Sequence, residues 1–182
     1  HGGLVVKGDV VDTAMVLAAG LGKRMRPITD TLPKPLVRIA GKTLLDRGLD
    51  SLAAAGVTRA VVNVHHLGNQ IVAHVAGRQR PRVVISDESD RLLDSAGGIV
   101  RALPLLGPDP FFILNADTFW IDSGRSNLED LVLAWDAGTM DILLMLADLG
   151  SATGHSGGTD FIVAPGGQLA RAAGAAEGLI YA

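Results

Sequence analysis

The sequence predicts an α/β protein built on a doubly wound, mostly parallel sheet. Short apolar runs recur along the chain, and most are continuous, as strands covered on both faces must be. Amphipathic segments separate these runs in the order βαβαβαβαβ, the pattern of a parallel sheet with helical crossovers. The first run empties into a loop rich in glycine and cations, the kind of segment such a sheet presents to a ligand at the carboxyl ends of its strands.

The predicted strands are Ala14–Ala18, Ala60–Val64, Val83–Ser86, Phe111–Leu114 and Ile142–Ala147. Thr43 and Asp46 have the spacing of a capping box, and the helix they open carries Leu44, Leu45, Leu49 and Leu52 until Gly56 ends it. Gly68–Val75 is a second, short helix. Ala96–Leu106 is a third and runs into Pro108. Ser126 and Glu129 form another capping-box pattern before an apolar face of Leu128, Leu131, Val132 and Trp135. The loops after Ala19, Val64, Asp87 and Leu114 then share one rim of the sheet.

Residues 1–12 are expected to be an N-terminal extension or a leftover of an expression tag, and residues 13–182 one domain without repeat or linker. After Asp148 the pattern weakens. Residues 150–158 form a loop by composition, and Phe161–Val163 with Gln168-Leu169 form a hairpin around Pro165-Gly166-Gly167. Residues 178–182 resemble a strand just begun, so the C-terminal part of the domain is expected to be incomplete.

The 182 residues suffice for one domain with a substantial core. Hydrophobic residues make up 48% and charged residues 19%, an ordinary globular composition. A net charge of −3 argues against a general polyanion binder, so nucleic acid is not an expected partner. The lack of cysteine excludes disulfides, thiolate catalysis and cysteine-zinc sites, and suits a cytoplasmic setting. No apolar run reaches the roughly 18 residues of a membrane-spanning helix, so no membrane partner is expected.

Chemistry concentrates in residues 15–37. The run Met15 to Ala19 opens into Gly20, Gly22, Lys23, Arg24 and Arg26, and Lys34 follows between Pro33 and Pro35. Glycines let backbone N–H groups approach an anion and cations neutralise it, so the loop is suited to phosphates. A Walker A loop is excluded, because Leu36 stands where Gly41-Lys42-Thr43 would require a glycine. The dinucleotide fingerprint also fails, with Met25 in the place of its third glycine. Arginine in the loop favours a polyphosphate over a dinucleotide.

Leu17-Ala18-Ala19-Gly20-Leu21-Gly22-Lys23-Arg24 and Pro33-Lys34-Pro35-Leu36 resemble the N-terminal signature of the sugar-1-phosphate nucleotidyltransferases. The resemblance continues through Gly41-Lys42-Thr43-Leu44-Leu45, Ser95-Ala96-Gly97-Gly98 and Asn115-Ala116-Asp117. It covers roughly residues 14 to 147 well. Within the family, Leu93 to Ile99 followed by Ala102 to Leu106 is most similar to the N-acetylmuramate-1-phosphate uridylyltransferases.

The resemblance implies a Rossmann-like nucleotidyltransferase fold, a nucleoside triphosphate and a sugar 1-phosphate as substrates, and magnesium as cofactor. It implies that the backbone of Leu17, Ala18, Ala19 and Gly20 reads the base and that Gly22 lies against the triphosphate. Arg24, helped by Lys23, grips the departing pyrophosphate, and Lys34 holds the sugar phosphate. Asp117 is the implied magnesium ligand; its other reading is a cap or turn aspartate. Asn115 orients the ribose or the aspartate, or is a turn residue. Ser95, Gly97 and Gly98 help to recognise the base, or are an ordinary helix start. Arg26 is either a further phosphate contact or a solvated charge.

His65 and His66 could face the sugar, but neighbours on a strand end cannot point the same way, which argues against a paired metal site. His74 is expected on a helix surface and His155 in a loop. Asp160 resembles a family segment near the sugar. The family's second metal-binding aspartate, in a Trp-x-Asp-x-Gly-Thr-like stretch, has no counterpart in these residues. The expected activity is formation of an NDP-sugar and pyrophosphate, from UTP and N-acetylmuramate 1-phosphate in cell-wall sugar recycling. A hexose-1-phosphate thymidylyl-, uridylyl- or guanylyltransferase is the alternative within the class, and a non-catalytic nucleotide-sugar sensor the alternative outside it. Oligomeric state is left open.

Overall fold

The computed structural model describes residues 11–122, 124–153, 158–165, 168–172 and 178–181. Most of the expected N-terminal extension, residues 1–10, lies outside them. The chain divides between Val132 and Leu133 into two compact units. In chain order its first elements are β1 (Thr13–Leu17), β2 (Arg38–Ile39), β3 (Lys42–Thr43), α1 (Leu44–Ala54), β4 (Arg59–Val64) and α2 (Gly68–Val75). They are followed by β5 (Arg82–Asp87), α3 (Ser95–Leu106), β6 (Phe112–Asn115) and α4 (Asn127–Ala134).

β1, β4, β5 and β6 form one wholly parallel sheet in the order β5-β4-β1-β6. The chain builds outward from β1 through β4 to β5, then crosses back to add β6 on the other side. The order therefore reverses at β1, and a crevice opens at the carboxyl ends beside it. Leu17, the last residue of β1, lies between Asn63 and Asn115 of its two neighbours.

Alternation along the strands separates two cores. Ala14, Val16, Ala60, Val62, Phe112 and Leu114 pack with α1 and α2 on one face. Met15 and Val61 pack with Ala102 and Leu106 of α3 on the other. Both faces of the sheet are covered, which is why its strands are continuously apolar in sequence.

The caps fix where the helices begin. Thr43 Oγ1 accepts the Asp46 N–H at 3.0 Å and donates to Asp46 Oδ2 at 2.7 Å, so α1 starts as its capping pattern predicts. Leu45, Leu49 and Leu52 are fully buried beneath it. A Cβ on Gly48 would lie 2.7 Å from Leu114 Cδ2, so glycine lets α1 settle closely on β6. At α3 the cap is Asp94, whose Oδ1 accepts the Gly97 N–H at 2.6 Å. At α4 the Asn127 N–H is received by Asp122 Oδ1 at 2.9 Å, and Trp135 lies beyond the helix rather than on its face. The small hairpin of β2 and β3 turns through Ala40 (φ 49°) and Gly41 (φ 80°), a two-residue turn with both centres left-handed.

The second unit carries β7 (Leu146–Asp148), β8 (Phe161–Val163), β9 (Leu169–Arg171) and β10 (Leu179–Tyr181). They form an antiparallel sheet in the order β7-β10-β8-β9. The hairpin expected around Pro165 is β8 with β9. The expectation of a parallel strand over Ile142–Ala147 is corrected. Ile142 is 74% exposed, so that run is not covered on both faces, and only its end, within β7, pairs, antiparallel to β10. Among the described residues no helix is long and apolar enough to cross a membrane.

Candidate active site

Where β1 ends, the chain is gripped from both sides. Leu17 C=O accepts the Ala116 N–H at 3.0 Å, and the Ala18 N–H donates to Asn63 Oδ1 at 2.7 Å. The loop beyond turns on Gly22, whose φ of +61° is left-handed and whose carbonyl accepts from Thr29 Oγ1 at 2.8 Å and from Met25 N–H at 2.9 Å. This turn projects Lys23 and Arg24, both exposed, from a single 3-10 turn, Lys23–Met25.

Lys34 sits on another 3-10 turn, Lys34–Leu36, anchored by the buried Pro35 and Leu36. Pro33 enters it extended at φ −64° and ψ 138°. The Lys34 ammonium meets Asp117 Oδ2 at 2.6 Å, with the two side chains 23% and 36% exposed. Asp117 stands just past β6, so strand, loop and turn bring together groups 83 residues apart in the chain.

Leu17, Ala18, Ala19, Gly20, Gly22, Lys23, Arg24, Lys34, Ser95, Asn115 and Asp117 all line one cleft of about 450 Å³ at the carboxyl ends of the parallel strands. Gly97 and Gly98 do not line it. The Gly97 N–H is taken by the Asp94 cap, and Gly98 is buried, where a Cβ would come within 2.8 Å of both Asn63 Nδ2 and Glu88 Oε1. Met25, Pro35, Asn63, Leu92, Leu93 and Asp94 line the cleft as well. Asn63 had a visible signal, a lone amide in the apolar run Val61-Val62-Asn63-Val64.

Arg26 lies outside this lining and pairs with Asp30 at 3.2 Å on the surface. His65 Nδ1 lies 2.7 Å from the Glu88 carbonyl, and His74 Nε2 lies 2.9 Å from Asp46 Oδ2. His155 falls outside the described residues. Asp160 belongs to the second unit, where its N–H donates to the Leu179 carbonyl at 2.9 Å.

The wall that follows β5 is stiffened from within. Asp87 Oδ1 accepts the Ser89 N–H at 2.8 Å, and this bond holds the Asp87 carboxyl below its ordinary value. Arg101 donates to Asp90 Oδ1 at 2.8 Å, and the hydrogen bond and charge of Arg101 hold the Asp90 carboxyl low in the same way.

Two carboxylates line this cleft, Asp117 and Asp94, and Asp94 is engaged as the α3 cap, its Oδ1 accepting the Gly97 N–H. Among the described residues no group of three or more His, Cys, Asp or Glu could hold a metal by itself. A magnesium ion needs only one or two carboxylates when phosphate oxygens and water fill its other positions, so the donor set fits an ion that arrives with phosphates.

Residues 14–150 match the model of the MobA-like NTP transferase domain. The N-acetylmuramate alpha-1-phosphate uridylyltransferase of Caulobacter vibrioides is 46% identical over 92% of this chain and 72% of its own length. The enzyme of the same name from Neisseria meningitidis serogroup B is 49% identical over 57% of this chain and 46% of its own length. The chain thus spans less than half of that second relative. A UDP-glucose pyrophosphorylase crystallised with UDP-glucose shares the fold, with a TM-score of 0.62 and 19% identity over 68% of this chain and 52% of that one. With a parallel sheet reversing at β1, a cationic glycine loop at the reversal and these relatives, the chain belongs to the MobA-like NTP transferase domain family, among the sugar-1-phosphate nucleotidyltransferases.

Proposed function

We propose that the cleft joins UTP to N-acetylmuramate 1-phosphate, forming UDP-N-acetylmuramate and pyrophosphate. The observation that carries this reading is the meeting of Lys34 and Asp117 at 2.6 Å in a cleft that Lys23 and Arg24 also line. The choice of base and sugar follows the relative that is 46% identical over most of the chain.

A phosphate oxygen of the sugar 1-phosphate attacks the α-phosphorus of UTP. The bond from that phosphorus to the α–β bridging oxygen breaks, and pyrophosphate leaves with the electron pair. No protein nucleophile is needed; positioning and neutralising two polyanions supply the rate. Lys34 exchanges its contact with Asp117 for the sugar phosphate, which frees the carboxylate. Asp117 would hold magnesium, which would supply charge neutralisation on the phosphates. Gly22 keeps the loop close to the triphosphate, and Lys23 and Arg24 receive the charge that accumulates on the departing pyrophosphate. Ser95 and Asn115 border the nucleoside end.

We place residues 13–182 in one nucleotidyltransferase domain, and the reaction in the cytoplasm, where it returns a cell-wall sugar to its nucleotide-activated form. The test is pyrophosphate release by the full-length protein with magnesium. UTP, dTTP, GTP and CTP are each paired with the 1-phosphates of N-acetylmuramate, glucose, N-acetylglucosamine and mannose. Release with UTP and N-acetylmuramate 1-phosphate above all other pairs is the expected result. Preference for another pair would overturn the substrate assignment. Nucleotide binding without release from any pair would indicate a sensor.

A further inference from the structure

Two polar side chains are buried side by side under the cleft, and the mechanism above uses neither. Asn63 is 2% exposed and Glu88 0%. Asn63 ends the row of β4 side chains that faces α3, where Val61 packs in the apolar core. Its Oδ1 accepts the Ala18 N–H at 2.7 Å, and its Nδ2 donates to Glu88 Oε1 at 2.8 Å. The other carboxyl oxygen, Glu88 Oε2, accepts the Leu93 N–H at 3.3 Å. The Glu88 backbone is held as well, its N–H by the Val64 carbonyl at 2.8 Å and its carbonyl by the Arg91 N–H at 3.1 Å and His65 Nδ1 at 2.7 Å.

Ala18 lies on the wall of the cleft that follows β1, and Leu93 on the wall that follows β5. One unbroken line of hydrogen bonds therefore runs from wall to wall: Ala18 N–H, Asn63, Glu88, Leu93 N–H. Gly98 of α3 covers the line, and a Cβ there would come within 2.8 Å of both side chains. An apolar pair would fill this space without fixing either amide, whereas a fully satisfied buried network specifies one geometry.

We infer that Asn63 and Glu88 are a buried positioning pair that sets the spacing of the two cleft walls for the nucleoside triphosphate. The inference rests on the nucleotidyltransferase reading. It gives Gly98 the part of a spacer over the pair, in place of a contact to the base. It also removes the Ala18 N–H from the groups that meet the base, because that donor is already engaged.

The pair has a definite donor order, and that order can be reversed. In N63D two carboxyls face each other across the short gap, and one must take up a proton. In E88Q a donor faces a donor at one end of the glutamine amide, whichever way it is turned. In N63D/E88Q every partner returns. The carboxylate now on β4 accepts from the Ala18 N–H and from the introduced amide, and the oxygen of that amide accepts from the Leu93 N–H. The three variants are made in the full-length protein. KM for UTP and KM for the sugar phosphate are measured separately, and amide exchange at Ala18 and Leu93 is followed by NMR.

Each single variant is expected to raise the UTP KM about tenfold or more and to speed exchange at both amides, with the sugar-phosphate KM changed by less than about threefold. The double variant is expected to return both readouts to the parent's values. A double variant as impaired as the singles overturns the inference. So do single variants whose UTP KM is unmoved, or whose two KM values rise together, as a general loss of stability would produce. If a single variant does not fold, the double still decides, because a parental UTP KM supports the pair and a raised one overturns it. Amide exchange needs no turnover. Rescue of exchange in the double variant of a protein with no transferase activity supports the pair and overturns the functional reading.

Discussion

At Gly22 the backbone is left-handed, and an added Cβ would lie 2.8 Å from Thr29 Cγ2 and 3.3 Å from Lys34 Cβ. At Gly20, two residues earlier, φ is outside the left-handed region and an added Cβ would meet no protein atom within 4 Å. Gly22 is required by the fold of the loop, whereas the fold leaves room for a Cβ at Gly20, which lines the cleft. Gly22→Ala is therefore expected to lower both Tm and UTP binding, with about 1 kcal/mol or more from the left-handed backbone alone. Gly20→Ala is expected to leave Tm unchanged while weakening UTP binding. Thermal unfolding and calorimetric titration of the two variants check this, and equal effects at the two positions would contradict it. Lys34, Asp117 and the glycine loop were legible in the sequence, because each lies in a short stretch whose chemistry is local. The pairing of Asn63 with Glu88 was not, although Asn63 itself stands out as a lone amide in an apolar run. Their pairing depends on the register of β4 against β5, and neither residue alone signals it.

α1 and α2 are joined by charges as well as by the core. Asp46 receives Arg78 Nη1 at 3.1 Å and His74 Nε2 at 2.9 Å, and Asp50 pairs with both Lys42 and Arg78. Burial works against the Asp50 charge, but hydrogen bonds from Lys42 and Arg78, together with their charges, hold its carboxyl below the ordinary value of 3.8. A carboxyl whose pKa is lower folded than unfolded stabilises above its unfolded value, and that stabilisation is lost as pH falls through the folded value. Asp50 is 43% exposed on its side chain, so solvent screening limits the effect. Asp50→Asn is expected to cost at most about 1 kcal/mol at pH 7. That corresponds to roughly 2–4 °C in Tm. The gap between parent and variant is expected to close below about pH 4. Unfolding curves across pH 3–7 test this, and a gap independent of pH would contradict it. At this scale the sequence was read well where local pattern decides: β1, β4, β5 and β6 lie within a residue or so of their apolar runs. Helix starts were read to within a residue as well, with α3 opening at Ser95 behind its cap Asp94 and α4 opening directly after Ser126. The run from Ile142 is apolar enough for a buried strand, yet Ile142 lies exposed, which no local pattern reveals.

Over the whole molecule, the strand order places function. Because the chain reverses at β1, loops from β1, β5 and β6 converge on one crevice, and the residues proposed for phosphate chemistry all arise from them or from the turn at Lys34. The parallel sheet and its crevice followed from the alternation of apolar runs and helices. The antiparallel sheet of the second unit is made of three-residue strands, too short to impose a period on the sequence. We propose that this crevice transfers a uridylyl group using Lys34 and Asp117. Magnesium-dependent pyrophosphate release from UTP and N-acetylmuramate 1-phosphate by the full-length protein, beside Lys34→Ala and Asp117→Asn, decides it. Release is expected to require the sugar phosphate and to fall about a hundredfold or more in each variant while the fold survives. Sugar-dependent release that proceeds at the parental rate in either variant would contradict it.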